Sequence, residues 1–247
     1  MSIVNKKFYA FIVLLVVAGF GLPEIARAQS ERPLAIVKRF KPDVTLRNLD
    51  VDKLINLDLE ENKGERLFDG DSLETNEEGF ALVVFMDASV AKVKPSSLLI
   101  LNGAVATASK AMNTRINLKN GEIFLNVEPQ GGNDFEVATS RSLASVQGTD
   151  FGSRFDGFVW VEEGQVDVTA LNSGQTVSLF EQMYAQVDEQ GNNVDSGTLT
   201  PEELNDLGEG YDEMENDLIQ KEIILRFRDQ NGQLREVRID VFEESDN

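Results

Sequence analysis

The stretch Phe135–Phe151, FEVATSRSLASVQGTDF, decides the fold of this chain. It opens with apolar residues at every second position, passes through a polar turn, and resumes the alternation in a run of small residues. Gly148-Thr149 then precedes another aromatic residue. Because side chains alternate between the two faces of a strand, the pattern predicts two strands that each bury one face. The glycine predicts a turn into a third strand.

The same rhythm extends over most of the chain, from about Leu34 to Val187. Apolar runs such as Phe80–Met86 and Leu98–Leu101 are separated by short polar breaks containing Gly, Asn, Asp or Ser. Several short strands at such spacing are typical of a β-sandwich or a barrel. We therefore expect an all-β domain.

The motif in Phe135–Phe151 resembles the FecR domain, the extracytoplasmic signalling domain named after the iron-citrate regulator of bacteria. In that family a strand ending in Thr leads into a small-residue strand and a Val-x-Gly-Thr-x-Phe signature. The matching residues here are Thr139, Ala144, Val146, Gly148, Thr149 and Phe151. Further motifs follow the family order: a turn motif at Gly64, Leu67, Gly70-Asp71 and Thr75; strands and a turn at Gly79, Ala81, Val83, Phe85, Asp87, Ser89, Pro95 and Ser97; a hairpin at Glu163-Gly164, Val166 and Val168; and closing strands over Val177 to Val187.

The resemblance implies a jelly-roll-like β-sandwich of short antiparallel strands that acts by binding rather than by chemistry. Three positions depart from the family pattern, namely Ala88 and Glu181, where Gly is usual, and Ser140, where Pro is usual. All three positions fall in predicted turns, so these departures concern the local backbone geometry rather than the fold. The motif glycines Gly70, Gly148 and Gly164 are expected to serve backbone geometry, and we assign no catalytic residue.

Four segments are predicted along the chain: a signal peptide over residues 1–28, a FecR-like β domain over 34–188, a connector over 189–200, and a C-terminal helix plus β-hairpin over 201–247. The helix signal is Thr200-Pro201-Glu202-Glu203, which supplies an N-cap, a proline at the first helical position and a capping-box glutamate. An apolar stripe continues from it at helical spacing: Leu204, Leu207, Tyr211, Met214 and Leu218. We expect this stripe to cover the chain's own sandwich. The hairpin is expected over Glu222–Arg228 and Leu234–Phe242.

The N-terminus carries the three parts of a secretory signal: Lys6-Lys7, an apolar run over Phe8–Leu22, and Ala26-Arg27-Ala28. The run has 15 residues, interrupted by Gly and Pro, whereas a membrane-spanning helix needs about 20. Cleavage after Ala28 is therefore expected, with the mature protein in the periplasm or outside the cell. The chain has no cysteine, so a lipid anchor at the cleavage site is not expected either.

Composition excludes several kinds of function. The chain has 43 acidic and 23 basic residues and a net charge of −20, which opposes binding to nucleic acid or anionic lipid. It has neither histidine nor cysteine, so triads that depend on His or Cys, and the usual structural zinc sites, are excluded. We expect no enzyme activity and no cofactor.

A metal site or a catalytic site built from oxygen-containing side chains alone has two candidates in the sequence. Residues Asn192–Glu203 resemble a calcium-binding EF-hand loop at Gly197, Leu199 and Glu203, yet Asn192 and Val194 replace ligands of that loop. A helix cap explains Thr200–Glu203 without calcium, so no metal site is assigned. Neighbouring acidic pairs are expected by chance in so acidic a chain, and neighbours along a strand point to opposite faces, which argues against a glycosidase.

The leading hypothesis is a free-standing, exported FecR-domain protein, without the cytoplasmic sigma-regulating region of the full regulators, that binds a protein partner or an envelope component. The alternative is a carbohydrate- or cell-wall-binding module. That alternative depends on Trp160, the only tryptophan, as an exposed stacking platform. We expect Trp160 to be buried, since Phe158 and Trp160 lie on the strand face opposite Val159 and Val161, and the strand is then covered on both sides.

Overall fold

Apolar alternation produces β-strands through most of the computed structural model. The structure describes residues 32–41, 43–58, 61–62, 64–105, 112–129, 131, 135–211, 214, 218–228 and 234–244, the last two ranges as main chain alone. The predicted signal peptide lies outside these residues. In chain order the elements are β1 (Ala35–Lys41), β2 (Val44–Asn48), β3 (Lys53–Asn56), β4 (Glu65–Leu67), β5 (Ser72–Thr75), β6 (Phe80–Phe85), β7 (Val90–Val93), β8 (Leu98–Val105), β9 (Met112–Asn120), β10 (Glu122–Val127), β11 (Phe135–Ala138), β12 (Ser142–Val146), β13 (Thr149–Arg154), β14 (Phe158–Glu163), β15 (Gln165–Ala170), β16 (Thr176–Phe180), β17 (Met183–Val187), β18 (Val194–Thr198), α1 (Pro201–Gly208), β19 (Leu218–Arg228) and β20 (Leu234–Glu244).

Eighteen of these strands form two nine-stranded sheets. Sheet A has the order β18-β17-β14-β13-β10-β7-β6-β1-β4, and sheet B has the order β16-β15-β12-β11-β9-β8-β5-β2-β3. The expected all-β sandwich is confirmed. All neighbours pair antiparallel except β9 and β11. They run parallel because the chain crosses from β9 to β10 in sheet A and then returns beside β9.

The inner faces of the two sheets form one hydrophobic core. Sheet B contributes residues such as Leu46, Leu101 and Ile116, and sheet A contributes residues such as Leu125 and Phe151, all at most 2% exposed. The predicted alternation is visible in β12, where buried and half-buried residues alternate. Complete burial of one such side chain stabilises the fold by about 1.5–3 kcal/mol.

The signature stretch forms the predicted strands. β11 pairs with β12, and the chain then leaves sheet B and enters sheet A as β13 through Gln147-Gly148. Gly148 has a φ of +122°, in the region that favours glycine. The predicted turn at Glu163-Gly164 joins β14 to β15, and the expected closing strands are β16 and β17.

The C-terminal part differs from the predicted connector and helix. Residues 194–198 of the expected connector form β18, which pairs with β17 from Val187↔Val194 to Met183↔Thr198. α1 begins after the predicted capping box at Thr200, but it ends at Gly208 rather than continuing to Leu218, which begins β19. A turn at Glu209-Gly210 interrupts the helical backbone before Tyr211 and Met214. Two glycines in three residues explain the break.

The predicted C-terminal hairpin is present and longer than expected. β19 and β20 pair antiparallel from Leu218↔Glu244 to Arg228↔Leu234. β8 continues through Gly103 into the alanine-rich stretch that follows it, as far as Val105.

Candidate interaction surface

The signature residues hold the backbone in place. The Thr149 hydroxyl donates to the Gln165 carbonyl oxygen at 2.8 Å and accepts from the Gln165 N–H at 3.4 Å. This pair joins the start of β13 to the start of β15, which lies in the other sheet. The motif therefore links the two sheets, as the assignment of a structural role predicts.

Asp71 of the Gly-Asp motif is also structural, and it anchors a neighbouring hairpin. Its carboxylate is buried, with 1% exposure, and accepts from the Phe68 N–H at 2.8 Å. The Lys53 ammonium approaches the same oxygen at 3.3 Å and donates to the Arg66 carbonyl oxygen at 3.1 Å. Lys53 begins β3, so these contacts fasten the β2–β3 hairpin to the β4–β5 turn.

A second anchor lies at the base of the same hairpin. The buried Asn48 side chain accepts from the N–H groups of Asp50 and Val51 at 3.0 and 3.4 Å. Its amide nitrogen donates to the Asp69 carbonyl oxygen at 3.2 Å. Asn48 thus orders the turn that follows β2 and ties it to the β4–β5 turn.

Apolar side chains project from this anchored hairpin into solvent. Leu49 is 82% exposed, Val51 70% and Leu54 59%; we call these three residues the hairpin surface. The acidic residues Asp50 and Asp52 between them are exposed too. Exposed apolar residues grouped on an ordered element mark interaction sites more often than scattered ones do.

Sequence reasoning missed this surface. The spacing of the apolar residues in Asp50–Arg66, among them Val51 and Leu54, fits a strand or a short helix equally well, and Leu49 lies just outside that segment. A signal was present in the run Asn48-Leu49-Asp50-Val51-Asp52, where a turn-forming Asn precedes apolar residues alternating with Asp. The edge position of β3 in sheet B adds to the exposure, and only the fold shows it.

The outer face of sheet A carries a row of residues in register across six strands. The pairs Lys92↔Phe124, Phe124↔Gly152 and Gly152↔Trp160 lead to Tyr184 and Gly197; we call this the aromatic row. Phe158, next to it on β14, stacks on Tyr184 with ring centroids 5.7 Å apart. The Lys92 ammonium lies 5.2 Å from the centroid of the Phe124 ring.

The C-terminal segment packs against the aromatic row, as the apolar stripe predicts. Tyr211 and Met214 are buried and form a cluster with Phe124 and Trp160. Trp160 is 1% exposed, so its predicted burial is confirmed. The stacking platform that a carbohydrate-binding module needs is not open at Trp160 in this structure.

Tyr211 fixes the segment by a polar contact as well. Its hydroxyl donates to Glu122 Oε1 at 2.9 Å, and Lys94 Nζ lies 2.8 Å from the same oxygen. The Lys94 ammonium also lies 4.2 Å from the Tyr211 ring centroid. Burial, reinforced by the charge of Glu122, raises the pKa of Tyr211 far above its usual range.

The stretch with EF-hand resemblance forms other structure. Its middle is β18, and Glu203 caps α1 by accepting from the N–H and the hydroxyl of Thr200 at 2.8 and 2.9 Å. These bonds lower the pKa of Glu203. Among the residues that the structure describes, no group of three or more acidic side chains is arranged to hold a metal ion. In the same part of the chain, no helix combines the length and apolarity needed to span a bilayer.

Comparison with known proteins agrees with the signature motif. A family model described as FecR protein matches residues 71–171, from the buried Asp71 to the residue that follows β15. Residues 71–171 of this chain thus contain a FecR domain. The family match supports a role in signalling or regulation.

Two crystal structures are similar to this chain, both described as a "putative anti-sigma factor" from Parabacteroides distasonis ATCC 8503, at 2.50 and 1.65 Å resolution. Each is 17% identical in sequence and aligns with 56% of this chain, with TM-scores of 0.47 and 0.46. The chain covers 64% and 65% of the lengths of those two structures. No curated protein matches the sequence.

Proposed function

We propose that this FecR-domain protein is exported, has no enzymatic activity, and binds a protein partner outside the cytoplasm through the hairpin surface. The observation that carries the proposal is the exposure of Leu49, Val51 and Leu54, at 82%, 70% and 59%. The hairpin is anchored by Lys53 and Asn48, so little of its order has to be gained on binding. A partner that covers the three side chains removes apolar surface from water.

The charges around the hairpin surface indicate the chemistry of the partner. Asp50 and Asp52 alternate with the apolar residues, and the whole chain has a net charge of −20. A second copy would bring like charges together, whereas an apolar patch bordered by Lys and Arg would complement them. The proposed partner is therefore a protein with a basic border around an apolar patch.

Export is supported by the N-terminal segment. Lys6-Lys7, the run Phe8–Leu22 and Ala26-Arg27-Ala28 are in the order of a cleavable signal. Fractionation of cells and N-terminal sequencing test this part, and we expect a periplasmic or secreted protein that begins at Gln29. Intact chain in the cytosol would contradict export.

Site-specific photocrosslinking in intact cells tests the binding surface. A photoreactive phenylalanine analogue at Val51 is expected to form an adduct with one defined protein. The same probe at Leu171, which is 48% exposed on another loop, is the matched control. The adduct should weaken with Asp50→Asn plus Asp52→Asn, because the basic border loses its counterpart. Equal adducts from both probe positions, or none from Val51, would contradict the proposal.

A further inference from the structure

The C-terminal segment spans the outer face of sheet A and is held mainly at its two ends. We call residues 199–211 together with Met214 the strap. At one end it continues from β18, which is paired in the sheet. At the other end Tyr211 and Met214 are 2% and 4% exposed, and the Met214 carbonyl oxygen accepts from Arg39 Nη1 at 3.0 Å.

Between these ends the strap contacts the sheet through half-buried side chains, since Leu199, Leu204 and Leu207 pack against the cluster that contains Phe124 and Trp160. α1 has no buried residue, and Leu204 and Leu207 are half-buried. A cleft of about 610 Å³ lies beneath the helix, with Lys92, Phe124 and Glu162 on the sheet side and Leu204 on the strap side. A well-packed helix leaves no such gap, because protein interiors are packed about as densely as organic crystals.

The strap also contains two glycines at which its backbone can bend. Gly210 has a φ of +85°, and Gly208 has open space where a side chain would lie. Gly208 is the last residue of α1 and Gly210 immediately precedes Tyr211, and a residue without a β-carbon has a wide choice of backbone angles. A change there can move α1 without breaking any strand of either sheet.

Beneath the strap lies an aromatic part of the outer face of sheet A. Trp160 and Phe124 are 1% and 4% exposed, although both point away from the core that the two sheets share. Tyr211 packs on Phe124 with ring centroids 5.3 Å apart. Loss of these strap contacts would expose aromatic area in one place.

We propose that the strap is a cover that opens as a unit and exposes the aromatic row while the two sheets stay folded. The Tyr211–Glu122 hydrogen bond helps to hold it closed, together with the burial of Tyr211 and Met214 and the hydrogen bond from Arg39. Opening is separate from the hairpin surface, which lies in sheet B, so the inference goes beyond the proposed function. The device gives the protein two states, which differ in whether Trp160 is accessible.

Hydrogen exchange on the full chain, read by mass spectrometry, tests the proposal. In the unmodified protein, amides of residues 199–211 are expected to exchange at least tenfold faster than those of β13 and β14, because local opening costs less than unfolding. Tyr211→Phe removes the bond to Glu122 and keeps the ring. It should accelerate exchange in the strap about tenfold and leave β13 and β14 unchanged, given the usual strength of hydrogen bonds to charged groups.

Trp160 provides a second readout, because it is the chain's only tryptophan. Acrylamide should quench its fluorescence several-fold more in Tyr211→Phe than in the unmodified protein. Gly208→Ala, which stiffens α1 at an open position, is the matched control and should not increase quenching. The proposal is overturned if strap and sheet amides exchange together in the unmodified protein, or if Trp160 becomes accessible only when the whole chain unfolds.

Discussion

Trp160 lies over Gly152 on the outer face of sheet A. The two residues are paired across β13 and β14, and a β-carbon on Gly152 would fall inside the indole ring. Gly197 has the same relationship to Tyr184, the next residue in the aromatic row, since a β-carbon there would lie 2.8 Å from the phenol ring. The glycines thus provide the space into which the rings fold.

Gly152→Ala is therefore expected to destabilise the protein. The added methyl group must displace Trp160, which the strap holds from above, and overpacking of this kind costs about 1–3 kcal/mol. Urea unfolding followed by circular dichroism measures the change. Gly208→Ala, where the new methyl group meets open space, is the matched control and should leave the free energy of unfolding unchanged or slightly higher. A neutral Gly152→Ala would contradict the described position of the indole.

Ala88→Gly is expected to stabilise the protein. Ala88 has a φ of +76° in the turn between β6 and β7, which strains a residue with a β-carbon, and this is the position where the FecR resemblance leads one to expect glycine. Relief of the backbone strain in the folded protein should outweigh the greater conformational entropy that glycine gives the unfolded chain. The free energy of unfolding should therefore rise by about 0.5–1 kcal/mol. Thermal unfolding measures the gain. Ala138→Gly, in the regular strand β11, is the control and should instead lose stability.

The turns show how far the sequence could predict the structure. Departures from the family pattern identified Ala88 correctly as a site of unusual geometry. At Glu181, the second position where the family pattern has Gly, the strain lies one residue later than expected, since Gln182 rather than Glu181 has a positive φ, of 61°. Local motifs give the existence of a turn, but the register of the two flanking strands decides which residue turns.

The interaction surface and the strap were harder to predict for a related reason. The aromatic row depends on pairings among strands far apart in sequence, from Lys92 in β7 to Gly197 in β18, and no local period encodes them. The stripe Leu204 to Leu218 predicted the packing of Tyr211 and Met214 correctly, but not the break at Gly210. Exposure of Leu49 depends on β3 being the edge strand of sheet B, which is a property of the whole sheet.

The hairpin surface should contribute to binding rather than to stability. Leu49→Ser combined with Val51→Ser removes two exposed side chains, and surface substitutions of this kind change the free energy of unfolding by at most about 0.5 kcal/mol each. Leu73→Ser is the matched contrast, because Leu73 is 0% exposed in β5 of the same sheet. This variant should lose about 3 kcal/mol or more of its free energy of unfolding. Chemical unfolding of the three proteins measures this. A large loss for the double variant would mean that the hairpin surface is structural.

Asp71→Ala is expected to loosen the same hairpin from its base. Lys53 loses the carboxylate at 3.3 Å, and the Phe68 N–H loses its acceptor. Breaking a buried ion pair costs about 3–5 kcal/mol, but Lys53 can regain water, so we expect about 2 kcal/mol. Glu65→Gln is the control, since Glu65 lies farther from Lys53, at 3.7 Å, and is more exposed. Urea unfolding should separate the two variants, and equal losses would contradict the anchoring role of Asp71.

Tyr211 predicts a loss of stability at alkaline pH. In the unfolded chain a tyrosine ionises near pH 10, whereas burial beside Glu122 holds the pKa of Tyr211 well above that value in the folded protein. The contribution of protonated Tyr211 to the free energy of unfolding is thus complete below pH 10. It declines as the pH rises further, by at most about 1.4 kcal/mol per pH unit. If the strap opens separately, fluorescence of Trp160 should change between pH 10 and 12 before the β-sheet signal does. Tyr211→Phe has no ionisable group at this position and should shift less over the same range. An identical alkaline response in both proteins would show that other groups control it.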